Sequence, residues 1–321
     1  MKELPQPSRI HHIDGIRGIL ALMVAASHFY GSITGYSPNR PLIGASLAVD
    51  FFFLLSGYVL THQLNIKPAS YQTHIFNRAR RLLPLHVLAT MLTLCAIWLN
   101  HKTGGYVPPW FGEITPTLVA VNLLMLTHIG IEKYEVINAP AWSISVEFII
   151  SAFVLFPFTQ TKNERFAAAF ALIAAVTIGT LWGWNLRTEQ MIAPFLDGGL
   201  ARGLLGILLG HCIYRWTQKS VQTNRMALAA RMVPPLFYYC LWRILSNEPT
   251  QDFFALIAFA IVIWGWHNES DSKTRLLLSS APARFLGNIS FSVYLLHTPL
   301  LLLVSPSKLA SISTPLSLIH I

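Results

Sequence analysis

Charge is scarce in this chain. Only 12% of its 321 residues are Asp, Glu, Lys or Arg, against about 25% in an ordinary soluble domain. That scarcity excludes a water-solvated globule and leaves no room for a second sizeable soluble domain. Cysteine is scarcer still. Cys95, Cys212 and Cys240 lie in apolar stretches without paired spacing, which excludes a disulfide framework and a zinc pattern, and no metal is expected. There is no Gly-rich phosphate-cradling loop and no Gly-x-Ser-x-Gly nucleophile elbow. Internal repeats and low-complexity tracts are also missing. The formal charge of +9 raises the question of nucleic acid. The basic clusters lack the interleaved aromatics of a nucleic-acid groove. They sit in short loops between apolar runs, where charge sets membrane topology.

What is present is apolar. Hydrophobic residues make up 53% of the chain and mean hydropathy is +0.50. Runs near the roughly twenty-residue spanning length recur at 15–33, 46–65, 83–100, 142–159, 166–185, 199–214, 230–246, 252–267 and 285–304. The pattern predicts an all-α polytopic bundle of about nine to ten spans, forming one integral-membrane domain over 1–321. The short basic segment Met1–His12 leads into a long apolar run with no Ala-x-Ala exit, which reads as an uncleaved span. Ser305–Ile321 reads as a turn and the start of a truncated last span.

Residues 117–131 are apolar but short and carry Asn122 and His128. Charge arbitrates. If this segment does not cross, 16 of the 23 Lys and Arg fall on the inner side; if it crosses, only 12 do. The excess of inside positive charge favours a re-entrant or interfacial segment with the N-terminus in the cytoplasm.

The helical rise then sets depth. Eleven steps separate Arg17 from His28, so His28 stands roughly 16 Å above an arginine at the inner face. By the same rise His297 sits at a similar height and Asp50 near the outer end of its span. Glu147 falls roughly 8 Å below the outer face if its span starts at Trp142. Two imidazoles and two carboxylates would share one layer. Buried ionisable groups are costly in a membrane and mark functional sites by default, and a histidine beside a carboxylate suits general base catalysis. Plainer roles compete: His297 as a helix-packing hydrogen bonder, Asp50 as a helix cap, and Glu147 as the partner of Arg202.

At the inner face Arg78 and Arg81 are three residues apart and share one side of a helix. Guanidinium groups bind phosphates through paired hydrogen bonds. A topology signal or contact with anionic membrane lipids is the other reading. Arg17 is placed to complete a phosphate site. Ser56 and Gly57 lie mid-span, where small residues either allow close helix packing or line a narrow channel for a cofactor arm.

Five segments together resemble the acyltransferase-3 family of membrane acyltransferases, which includes polysaccharide O-acetyltransferases and nodulation-factor acetyltransferases. They are Asp14-Gly15-Ile16-Arg17-Gly18 followed by His28; Val49 through Tyr58; Arg78-x-x-Arg81; Trp142-Ser143-Ile144-Ser145-Val146-Glu147-Phe148; and Leu286 through His297. They follow the family's order and cover most of the chain. The resemblance implies a cytoplasmic acyl-CoA donor, acetyl-CoA foremost, and a carbohydrate or glycolipid hydroxyl as acceptor, at the bacterial inner membrane. It implies that Arg17 and His28 are the essential pair and that Arg78 and Arg81 bind CoA, with Ser56 and Gly57 beside its arm. His28 would activate the acceptor hydroxyl or carry the acyl group, with Asp50 or Glu147 stabilising the imidazolium; Trp142, Tyr294 and His297 are the candidate acceptor contacts. Against the family's pattern, most of the final span and the periplasmic hydrolase-like domain of some members are expected to be missing, and transfer is then expected to be completed here or with a separate periplasmic partner. A transporter or flippase for a lipid-linked sugar, using the same groups as a proton relay, is the rival. It lacks the inverted repeat and the paired broken helices of transporters.

Overall fold

A computed structural model describes residues 11–34, 41–104, 113–129, 136–161, 164–188, 190–219, 224–246, 251–268 and 273–304. The expected truncated span at 305–321 lies outside them. The described chain is nearly all helix: α1 (His11–Thr34), α2 (Leu47–Ile66), α3 (Tyr71–Thr103), α4 (Pro116–Leu123), α5 (Ala141–Ile150), α6 (Phe156–Gln160), α7 (Glu164–Trp182), α8 (Gly198–Lys219), α9 (Asn224–Leu245), α10 (Asp252–Asn268), α11 (Lys273–Leu278) and α12 (Ala281–Leu303). A one-turn π-helix, Ser151–Leu155, joins α5 to α6. Two very short antiparallel strands, β1 (Met191–Ala193) and β2 (Leu196–Asp197), precede α8.

Each of the nine expected spans overlaps a described helix. Six helical stretches among the described residues are long and apolar enough to cross a membrane: α1, α3, α7, α12, Ile43–Ile66 around α2, and the continuous Ala141–Gln160. The chain is a multi-pass membrane protein. Its outward faces carry large apolar side chains such as Phe76, Trp98, Phe170, Leu172 and Phe254, as a lipid-facing surface requires.

Helix directions bear on the uncertain segment. Gly18 of α1 meets Leu286 and Gly287 of α12, and His28 meets His297 ten residues further along both. The two helices therefore run parallel. So do α2 and α8, since Asp50 meets Arg202 and Thr61 meets His211. Between α3 and α5 the order reverses: His74 bonds the carbonyl of Ser151, and Arg78, further along α3, bonds the earlier Glu147. Had 117–131 crossed the membrane between them, α3 and α5 would run parallel. Instead α4 has eight residues, about 12 Å of helix against a roughly 30 Å hydrocarbon core.

Asn122, at the end of α4, and Asn138, just before α5, are both tied into the bundle. The Asn122 amide accepts from the backbone N–H of Ile137 at 2.9 Å, while its backbone carbonyl accepts from His86 at 2.7 Å. The Asn138 amide donates to the carbonyl of Leu295 at 2.9 Å. That carbonyl is available because Pro299, four residues on, has no N–H to offer it.

Close approach of α2 and α8 explains Gly57. A methyl group there would lie 1.9 Å from the carbonyl oxygen of Ile207. Gly57 thus faces α8 and serves packing, not the cofactor arm expected from the sequence. Gly57→Ala is expected to cost about 1–3 kcal/mol by overpacking, seen as a lower unfolding midpoint of the detergent-solubilised protein. An unchanged midpoint would contradict the tight packing.

Candidate functional site

The parallel, in-register pairing of α1 with α12 is what assembles the upper part of the site. Small residues let the two backbones touch: a Cβ on Gly18 would meet the Leu286 carbonyl carbon at 2.4 Å. Equal rises along both helices then carry His28 and His297 to the same height. The His28 Nδ1 and His297 Nε2 atoms are 2.7 Å apart. His297 is buried and its Nδ1 lies 3.2 Å from the carbonyl of Val293.

Beneath the histidines lies Tyr294. Its ring centre is 6.3 Å from that of His297, it meets Phe52 edge-on at 5.6 Å, and its hydroxyl is 2.9 Å from Ser143 Oγ. Tyr294 also lines an upper cavity with Ala21, Phe52, Ser56, Ser143 and Glu147. A lower cavity is lined by Arg17, Ser56, Arg78, Arg81 and Glu147. The two share Arg17, Ser56, Glu147 and Phe291, so polar walls continue from the arginine cluster to Tyr294.

Glu147 ties the lower cavity together. It accepts hydrogen bonds from Arg78 at 2.5 Å and from Ser56 at 2.7 Å. The buried Nε of Arg78 has no hydrogen-bond partner among the described residues. A buried donor left unmade is expensive, and Arg78 itself lines the lower cavity. With Arg17 and the exposed Arg81 at the cavity wall, the donor set suits phosphate.

Two sequence expectations need correction. Glu147 does not share a layer with the histidines, and it pairs with Arg78, not Arg202. The depth estimate took the span to begin at the outer face near Trp142. Asn138 already sits at the level of Leu295 and Ser143 at that of Tyr294, so Glu147, one helical turn past Ser143, lies roughly 6 Å deeper still. Asp50 has about the expected height but faces elsewhere. Its carboxylate accepts two hydrogen bonds from Arg202, at 3.0 and 2.9 Å, and both side chains are buried. Arg202 also donates to the carbonyls of Ser46 and Thr188. Neither carboxylate reaches the imidazole pair.

Trp142 is buried away from the cavities, with the Arg202 guanidinium 5.1 Å from its ring centre and Phe53 edge-on at 6.0 Å. Its neighbours Ser143 and Ile144 face the upper cavity instead. Ser143, Phe52 and Phe291 were missed in the sequence. A signal for two of them existed: Ser143 and Glu147, like Phe52 and Ser56, are four residues apart and share a helix face.

Comparison with known proteins adds an independent line. The family described as "Acyltransferase domain" matches residues 10–319. The chain is 26% identical to Acyltransferase MdmB of Streptomyces mycarofaciens over 91% of this chain and 79% of that protein. It is 33% identical to Protein 2 in picA locus of Rhizobium radiobacter, over 46% of this chain and 81% of that one. A third relative, Putative peptidoglycan O-acetyltransferase YrhL of Bacillus subtilis (strain 168), is 22% identical over 92% of this chain and 49% of its own length. No solved structure matches the chain.

Proposed function

The chain belongs to the acyltransferase-3 family and is an acyltransferase; from that premise we propose that it moves an acetyl group from cytoplasmic acetyl-CoA to a hydroxyl of a cell-surface or lipid-linked carbohydrate. The observation that carries this reading is the polar passage from the arginine cluster to the tyrosine below the histidine pair. The peptidoglycan named for one relative supports a carbohydrate acceptor. The protein is placed in the bacterial inner membrane with its N-terminus cytoplasmic, so the arginines face the compartment that holds CoA. Any separate periplasmic partner would act on the acceptor side.

In this scheme Arg17, Arg78 and Arg81 hold the phosphates of the donor, and Ser56 and Glu147 border the path of its arm. The acceptor arrives from the opposite side at His28. His28 takes the hydroxyl proton as the oxygen attacks the thioester carbonyl carbon. The carbon–sulfur bond breaks, and the proton passes from His28 to the departing thiolate. The products are an O-acetyl ester and CoA thiol.

Membranes containing the protein, supplied with radiolabelled acetyl-CoA and isolated cell-surface glycan, test this directly. Base-labile label in the glycan is the expected result; release of free CoA without glycan labelling would sink the acceptor class. Arg81→Ala is expected to raise the KM for acetyl-CoA about tenfold, the loss of one charge-assisted hydrogen bond. An unchanged KM would leave Arg81 with a topological role alone.

A further inference from the structure

We propose that His297 is the positioning residue for His28, fixing which ring nitrogen of His28 carries the proton. The inference rests on the reading of His28 as the base, but its geometry stands separately. His297 Nδ1 lies 3.2 Å from the backbone carbonyl of Val293, one helical turn back on α12. A carbonyl oxygen can only accept, so that nitrogen carries a hydrogen. On a neutral imidazole the opposite nitrogen is then an acceptor. That nitrogen, His297 Nε2, is 2.7 Å from His28 Nδ1. The donor in that bond is therefore His28 Nδ1–H. The lone pair of His28 is placed on Nε2, the nitrogen pointing away from α12.

The chain Val293 carbonyl, His297, His28 does by backbone and imidazole what a carboxylate does elsewhere for a catalytic histidine: it selects the tautomer and holds the ring. This also accounts for the carboxylates. Asp50 is engaged by Arg202 and Glu147 by Arg78, so neither is the orienting group. The carbonyl cannot drift, because α12 is locked to α1 at Gly18 and Gly287. His297 needs no contact with substrate to act in this way.

The test uses the full chain in lipid nanodiscs with ¹⁵N-labelled histidine. His28→Ala identifies the His28 signals. Wild type should show His28 protonated on Nδ1 and unprotonated on Nε2. His297→Leu removes the acceptor, and should lose this tautomer bias and about 10²-fold in kcat, with the KM for acetyl-CoA within about twofold of wild type. His297→Gln offers an amide oxygen near the position of Nε2. It should restore both the bias and at least a tenth of the wild-type kcat. A wild-type His28 protonated on Nε2 would overturn the proposal, as would a folded His297→Gln as slow as His297→Leu. If His297→Leu fails to fold, the wild-type tautomer still decides. Full activity in His28→Ala alongside the expected tautomer would refute the base assignment while leaving the pairing intact.

Discussion

Acyl transfer in a His28→Ala protein is expected to fall by about 10²–10⁴-fold, the usual contribution of a positioned general base. The protein should still enter the membrane and fold. His28 is half-buried and meets His297 across the helix pair; the packing of α1 against α12 depends on Gly18 and Gly287 lower in the helices. Loss of activity should therefore appear in kcat with little change in the unfolding midpoint. Donor affinity should also persist, because the arginine-lined cavity begins eleven residues below, at Arg17. Transfer at near wild-type rate by a well-expressed His28→Ala protein would remove the histidine from the chemistry.

The largest expected effect on stability belongs to Asp50. Asp50→Ala should destabilise the protein by about 3–5 kcal/mol, because it breaks a buried ion pair by removing one partner. Arg202 is fully buried and makes both strong bonds of its fork to this carboxylate. The double replacement Asp50→Leu with Arg202→Met should recover most of the loss, since an apolar pair of similar volume removes the uncompensated charge. Thermal unfolding in detergent of the two singles and the double measures this coupling. If Asp50→Ala unfolds at the wild-type temperature, the pair is not the strut that its burial suggests.

Much of the architecture was legible because membranes simplify it. Apolar length identified the helices, and the positive charge at the ends of spans favoured a non-crossing 117–131, with which the antiparallel run of α3 and α5 agrees. Height along α1 and α12 was legible too, since a helix rises uniformly and both helices begin near one face. What the sequence did not disclose was azimuth. Asp50 is two residues from Phe52, but that rotation turns it from the cavity to α8. Glu147 was misplaced for another reason: its height was measured from an assumed surface near Trp142, while Asn138, before α5, already meets Leu295 inside the bundle. The tie between Asp50 and Arg202 joins residues 152 apart, and no local pattern announces such a pairing.

The histidine pair joins residues separated by 269 positions. On a ribosome adding roughly 5–20 residues per second, the first helix waits on the order of 15–50 s for the twelfth. During that interval α1 lies in the bilayer with the α12-facing seam around Gly15 and Gly18 still uncovered. Every partial chain shorter than α12 therefore lacks the His297 imidazole that meets His28. The pair closes only after insertion has run through α12, so the connectivity makes the junction of α1 with α12 one of the last parts of the bundle to assemble.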